Sequence, residues 1–513
     1  MVQRVTINES YIGVESPWLG DFVITDPVMY AYHTTPNALR AQQVTQLCKS
    51  RESSTISNLA SYTRQAGLLN QYYGVEHFAK EQGLSPSHTR AVHIAIEGDD
   101  QTHTAFSHEL ELLIQRWGGP ENNHEKRYPH LAEIGGTTDV LDKFGIKYTR
   151  NLKVRGYAIP EWAHATERED LDLDRLEYIA TEALLWFDHD YVDERVRDKV
   201  KNALKLENFE LTPEGKLAAK DIETALVVSK LLMLFSTEHW NDPVNRAHLH
   251  LGIHGVQRTI LTRRLDWMDE VDRGETRVPD AYYYGIDQDF TDALETGPGR
   301  DDAFIYLISN ILNQSGMEER RRFIDYRLAE YTSFLLDDQA QNYPSEYLEP
   351  RRVDFGPRSS AVDTEVIDMT EQQKEKLAQA KIPRLDEDDE NLTYVAGPLK
   401  NRFIDPLVRT GSGYARLSQL DRRYKALLEE HQYLQTLGVR VTFAFTPDYA
   451  KEFKAGMRRN DLEYEALQHN AAMTRDQERR VIELAAQRAV RLSHQAGTLV
   501  LRGEARRLLE SVC

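Results

Sequence analysis

The sequence predicts a mostly α-helical protein with a smaller C-terminal α+β region. Three observations predict it. Apolar residues recur at helical spacing through much of the first 340 residues. Several of those segments carry helix start or stop signals. One segment near the C-terminus alternates apolar and polar residues, as a half-buried strand does.

The elements follow in order. Ser85-Pro86 supplies an N-cap residue and a proline at the first helical position. Val92, Ala95 and Ile96 follow at helical spacing. A further helix is expected from about Ala105 to Trp117, stopped by Gly118-Gly119. Segments 174–187, 218–236 and 318–336 have the same helical character. From Asp337 to Asn391 apolar runs are few, prolines stand at 344, 350, 357 and 383, and the acidic run Asp386-Glu387-Asp388-Asp389-Glu390 closes the stretch. It reads as a linker or loosely packed arm, or alternatively as a long surface excursion. Val439 to Phe445 reads as a strand. Thr474 with Gln477 forms a capping box for a final helix ending near Gly497. The expected division is a helical domain over 1–340, an acidic linker or arm over 341–392, and an α+β region over 393–513.

Composition narrows the class. A chain of 513 residues, 41% hydrophobic, is too long for one ordinary domain and can bury a sizeable core. A net charge of −19 argues against an extensive nucleic-acid footprint, but leaves room for a small anionic substrate in a local basic pocket. No run of about 18 apolar residues occurs, and Met1 to Val5 holds no signal-peptide core, so no membrane partner is expected. The two cysteines, Cys48 and Cys513, offer neither a disulfide framework nor a zinc–thiolate site and suit a reducing cytoplasm.

The most informative stretch is V-H-I-A-I-E-G-D-D-Q-T-H-T-A-F-S-H-E, from Val92 to Glu109. Asp99 and Asp100 end an apolar helix, and His103 and His108 follow closely. Acids and imidazoles gathered at a helix end serve a metal or a phosphate. Negative charge at a helix C-terminus is unfavourable, which favours a compensating partner.

Further motifs fall in an ordered series. They are His33-Thr34-Thr35-Pro36 with Arg40 and Gln46-Leu47; Gln71 followed by Tyr73-Gly74-Val75-Glu76-His77-Phe78-Ala79; His124-Glu125; Asp172-Leu173-Asp174-Arg175-Leu176-Glu177-Tyr178; and Lys400-Asn401-Arg402-Phe403-Ile404-Asp405-Pro406. Together with 92–109 they resemble the HD-domain deoxynucleoside triphosphate triphosphohydrolases. That family includes bacterial dGTP triphosphohydrolases and the vertebrate SAM-and-HD-domain enzyme. The resemblance implies an HD-type helical core and a metal shell of Gln71, Asp99, Asp100 and Asp174. It implies His103, His108 and His124 as catalytic or phosphate-orienting residues. Gln46, Leu47, Arg175, Tyr178 and Trp240 take the positions that touch sugar, phosphate or base, with a core role as the alternative for Trp240. Relatives assemble as oligomers, so a homo-oligomer is expected by resemblance.

The departures from the family matter. Gln71 and Asp99 stand where the family has histidines. An all-oxygen shell suits Mg²⁺ or Mn²⁺ rather than Zn²⁺ or Fe²⁺. Alternatively, Asp99 no longer faces inward and the metal is lost. On the phosphate side Leu231, Leu232 and Leu234 fill the turn where the family places basic residues, although a triphosphate needs donors to replace its water. The expected function is a metal-dependent nucleotide phosphohydrolase. The alternative is an inactive relative serving as a nucleotide sensor or assembly subunit. His248, His250 and His254 lack the glutamate of a zinc-protease motif and read as partly exposed helix residues.

Overall fold

In a computed structural model of the chain, the described residues are 3–45, 62–105, 107, 123–149, 153–187, 194–236, 254–259, 261–262, 284–287, 289–290, 324–325, 329–331, 353–355, 392–398, 402–436, 440–445, 447–467 and 473–503. The fold is mostly α.

The chain opens with a meander of β1 (Arg4–Ile7), β2 (Ile12–Ser16) and β3 (Gly20–Ile24), whose alternating residues Val5, Ile7, Ile12 and Val14 enter the core. Helices α1 (Pro27–His33) and α2 (Pro36–Arg40) each begin on proline. The Asp26 carboxylate accepts from the backbone of Val28 and Met29, and the Thr35 hydroxyl from that of Ala38. These caps satisfy N–H groups that have no partner inside the helix.

Three helices frame the centre of interest. Helix α3 (Arg64–Gln82) is capped by Thr63 and stops at Gly83, whose φ of 71° is the left-handed conformation of a C-terminal glycine. Helix α4 (Pro86–Asp100) starts where the Ser85-Pro86 signal placed it. After α5 (Asn123–Ile134) and α6 (Thr137–Lys143) comes α7 (Leu173–Phe187), whose first turn is capped by Asp172 accepting from Arg175 N at 2.8 Å. Helix α3 meets α7 at Gly74: a Cβ there would lie 2.4 Å from Leu173 Cδ1. The missing side chain lets the two helices close. Val75, Phe78, Leu176 and Ile179 seal the contact in one apolar cluster.

Helix α8 (Glu194–Ala203), the hairpin β4 (Phe209–Leu211) and β5 (Leu217–Ala219), and helix α9 (Ile222–Leu234) extend that cluster. Segment 318–336 corrects the helical expectation. Its described residues are strands, β6 (Ile324–Asp325) and β7 (Ala329–Tyr331). Strand β7 pairs with β8 (Val353–Phe355). Next come β9 (Leu392–Pro398), β10 (Leu407–Thr410), β11 (Gly413–Arg416), α10 (Leu417–Leu420) and α11 (Arg422–Thr436). The expected strand at 439–445 is β12 (Arg440–Phe445), antiparallel to both β6 and β9.

Helix α12 (Pro447–Leu467) precedes α13 (Arg475–Gln495), which carries the Thr474–Gln477 capping box that the sequence announces. Strand β13 (Leu499–Leu501) then runs parallel to β1, and β10 runs parallel to β5. Segments from the last quarter of the chain thus complete sheets begun in the first half. The expected helix at 105–117 and most of 337–391 lie outside the described residues.

Candidate active site

The closure of α3 on α7 sets Gln71 against Asp174, and Gln71 Nε2 donates to Asp174 Oδ1 at 2.7 Å. Gln71 is fully buried, and its Oε1 has no hydrogen-bond partner among the described residues. Asp174 keeps some access to solvent. Its carboxyl is nevertheless held well above the usual carboxylate range, first by burial and then by the negative charge of Asp100, with Asp172 and Glu177 adding to it. Residues 71, 100 and 174 therefore share one electrostatic neighbourhood.

Asp100 ends α4 and meets a guanidinium and an imidazole. Arg64, the first residue of α3, places Nη1 2.5 Å from Asp100 Oδ1, and His103 Nε2 stands 3.4 Å from the same oxygen. Arg64 Nε also donates to Ser107 Oγ at 3.0 Å. The Ser107 hydroxyl in turn donates to the carbonyl of Thr45 at 2.6 Å. Ser107 has φ 51°, and among the described residues no other non-glycine has a positive φ. An L-residue in that region is strained, and the hydroxyl contacts hold it there. The turn behind His103 rests on Arg40, which is fully buried. Its guanidinium donates to the carbonyls of Gln101 at 3.2 Å, His103 at 2.5 Å and Gly285 at 2.9 Å.

One turn beyond Asp174, Glu177 is buried with every hydrogen bond on one oxygen. Oε1 accepts from Tyr62, from Asn70 Nδ2 at 3.0 Å and from Thr181 at 3.0 Å, whereas Oε2 has no partner among the described residues. Burial pushes its pKa up to about 7 against those hydrogen bonds, with the charge of Asp100 adding to the rise. Tyr178 is buried as well, and the Arg402 guanidinium lies 5.6 Å from its ring centroid. Arg175 turns away from Asp174 toward the loop before α7. It donates to the carbonyls of Glu167 and Asp170 and lies beside Asp172. Its place at the start of the helix makes those loop carbonyls its nearest acceptors.

Gln46, Leu47, His108 and Trp240 lie outside the described residues, as do the side chains of Asp99 and His124. Leu231 and Leu232 are core residues. His254 corrects the reading of a partly exposed residue: it is buried, and Asn460 Nδ2 reaches its carbonyl at 3.4 Å.

Among the described residues, no three side chains of His, Cys, Asp and Glu gather as a metal-binding group. The described centre is instead two carboxylates and an amide. That set fits a hard cation, because Mg²⁺ is held through one or two carboxylates and keeps several waters. The unpartnered Gln71 oxygen and the mutual repulsion of Asp100 and Asp174 mark where positive charge is wanted.

Sequence reasoning missed a second polar cluster on α4. His93 Nδ1 bonds Glu97 Oε1 at 2.9 Å, and His93 Nε2 bonds Glu76 Oε1 at 3.1 Å. His33 Nε2 stands 3.2 Å from Glu97 Oε2. Tyr72 stacks on His93 at 4.4 Å. The outer end, Glu76, lines an open groove of about 680 Å³ with Tyr72, Tyr73, His77, Asp26 and Arg90. The signal was present as His93 and Glu97 at i and i+4, but it sits within an apolar helix face.

No family model matches the sequence. No curated protein matches it. Among solved structures it is similar to a phosphohydrolase from Bacteroides thetaiotaomicron VPI-5482, with 14% identity, 84% of this chain and 98% of that chain covered, and a TM-score of 0.45. A likeness of that degree carries no argument about activity.

Proposed function

We propose that this chain is an HD-type phosphohydrolase acting on a nucleotide phosphoester, with Gln71, Asp99, Asp100 and Asp174 serving a hard divalent ion, Mg²⁺ or Mn²⁺. One observation carries the reading. Gln71 and Asp174, 103 residues apart, are hydrogen-bonded, and the charge of Asp100 acts on the same carboxyl. These are the positions that the ordered motifs assign to one centre. A divalent ion there supplies Lewis acidity toward a phosphoryl oxygen.

The chain's own residues do the rest. His103, whose Nε2 lies 3.4 Å from Asp100 Oδ1, holds or passes a proton in this reading. Tyr178 offers an aromatic wall near Asp174, and Gln46, Leu47 and Trp240 complete the nucleotide pocket in this reading. His108 and His124 orient phosphate. Core packing of Leu231 and Leu232 leaves fewer donors for a long phosphate chain. Mono- and diphosphates are therefore favoured over triphosphates. A cytoplasmic homo-oligomer is part of the same proposal.

A second reading has its own observation. The Arg64–Asp100 ion pair already supplies one positive charge, which favours a nucleotide sensor without turnover. Metal analysis of the purified protein, then a phosphate-release screen of nucleotides with Mg²⁺ and Mn²⁺, separates the two. Release that requires the ion and is lost in Asp174→Ala supports the hydrolase. Nucleotide binding by calorimetry with no release supports the sensor. No binding of any nucleotide, with or without ion, sinks both.

A further inference from the structure

Resting on the reading of residues 71, 100 and 174 as a cation site, we propose that Arg64 is a built-in competitor for that cation: its guanidinium holds Asp100 until a divalent ion displaces it. The geometry is that of a constructed clamp. Arg64 Nη1 lies 2.5 Å from Asp100 Oδ1, and Nε lies 3.0 Å from Ser107 Oγ. Ser107 is held in a left-handed backbone conformation, with its hydroxyl pinned to the Thr45 carbonyl. Arg64 is nearly fully buried, with 6% of its side chain exposed, and Asp100 has 13%. A surface ion pair would yield readily to solvent, whereas this one is largely shielded.

Two cations cannot share one carboxylate oxygen at contact distance without strong repulsion. An ion bound through Asp100 and Asp174 must therefore move the guanidinium off Oδ1, or accept a like charge beside it. Either course weakens ion binding, the first by the work of breaking the pair and the second by like-charge repulsion. The centre then stays closed to divalent ions at low concentration and fills only when the ion, or an ion carried by a nucleotide, is plentiful. Arginine suits this role better than lysine, because one planar fork reaches the carboxylate and the serine together.

The test is a Mn²⁺ titration of the full chain, following free Mn²⁺ by electron paramagnetic resonance, with no substrate present. Arg64→Gln is expected to bind Mn²⁺ at least tenfold more tightly than the wild type, and Arg64→Ala likewise. Ser107→Gly removes the Nε anchor and relieves the backbone, because glycine accepts positive φ. It leaves the charge of Arg64 in place and keeps the test alive if the Arg64 variants do not fold. It is expected to tighten binding about threefold. Asp100→Asn in the Arg64→Gln background should abolish the gain. Wild-type binding that is unchanged or weakened in both Arg64→Gln and Ser107→Gly overturns the competitor and leaves the cation site standing. No Mn²⁺ binding by the wild type or any variant overturns the cation site and the competitor together.

Discussion

Helix α4 carries two polar clusters about one turn apart, and they balance charge differently. Around Glu97 the groups alternate, with Glu76, His93, Glu97 and His33 in sequence. Burial pulls His93 down, but its hydrogen bonds to Glu76 and Glu97 outweigh this and raise its pKa. Burial lowers that of His33, which suits a neutral end to the chain. Around Asp100 the carboxyl groups of Asp100, Asp174 and Glu177 crowd one another beside the single clamped guanidinium, with His103 alongside. The first cluster sets each carboxylate beside an imidazole, although His33 and Glu97 Oε2 make no hydrogen bond among the described residues. The second sets Asp100 and Asp174 against each other, an arrangement that favours an added positive charge.

The comparison breaks most readily at Glu97. Glu97→Ala leaves two buried imidazoles without their shared carboxylate, and breaking a buried pair from one side costs about 3–5 kcal/mol. Urea denaturation at pH 6 measures it. A loss below about 1 kcal/mol would show that the alternating chain holds nothing together.

The next effect belongs to pH. Glu177 is raised from 4.5 to about 7 by burial. Between those values the native state keeps a proton that the unfolded chain has released, so stability falls as pH rises through that window. The full loss is about 3 kcal/mol. Glu177→Gln keeps an acceptor for Tyr62, Asn70 and Thr181 and should flatten the slope between pH 5 and pH 7. His93 has the usual sign of a paired histidine. Its contribution is full below the unfolded value near 6.5 and is lost as pH rises through its raised folded value. His93→Gln should remove that component and leave the Glu177 slope intact. A slope unchanged in Glu177→Gln would mean that the carboxyl is ionised in the fold.

Much of this arrangement is legible in the sequence, for physical reasons that differ by element. The start of α4 and the cap of α13 depend on neighbours within four residues, so Ser85-Pro86 and Thr474–Gln477 announce them. Segment 318–336 has helical apolar spacing, yet its described residues 324–325 and 329–331 pair as strands with β12 and β8, and nothing local encodes those partners. At the centre, Gln71, Asp100 and Asp174 could be ranked by the order of their motifs. Arg64 could not. A lone arginine at a helix start has no signature, and its role arises only because α3 brings it to the end of α4. Glu177 carries no such signal, because nothing local tells a buried acid from a solvated one. The three donors on its Oε1 come from Tyr62, Asn70 and Thr181 on both sides of the site.

Cation addition sharpens the contrast further. An ion that binds only the native state stabilises it by about 2.7 kcal/mol at one hundred times its dissociation constant. Mg²⁺ or Mn²⁺ should therefore raise the thermal midpoint of the wild type. The same increment should survive in His93→Gln, which leaves the acidic centre intact, and vanish in Asp100→Asn. An equal increment in all three would place the ion elsewhere.

The smallest expected effect has the opposite sign from the largest. Asp174→Asn changes a carboxyl to an amide of the same shape, and its side-chain oxygen still accepts from Gln71 Nε2. It removes a group that burial and the charge of Asp100 hold above its ordinary pKa. Such a group destabilises the fold as pH rises above the unfolded value, because ionisation is easier in the unfolded chain. Asp174 retains some solvent access, so the gain is discounted to about 1 kcal/mol. It should be largest at pH 8 and vanish only well below the unfolded value near 3.8, where both states are protonated. A variant more stable than the wild type but unable to bind Mn²⁺ is what a binding site predicts, since function is held there against stability. A variant that loses stability at pH 8 would make Asp174 a structural partner like Glu97, and the distinction between the two ends of α4 would collapse.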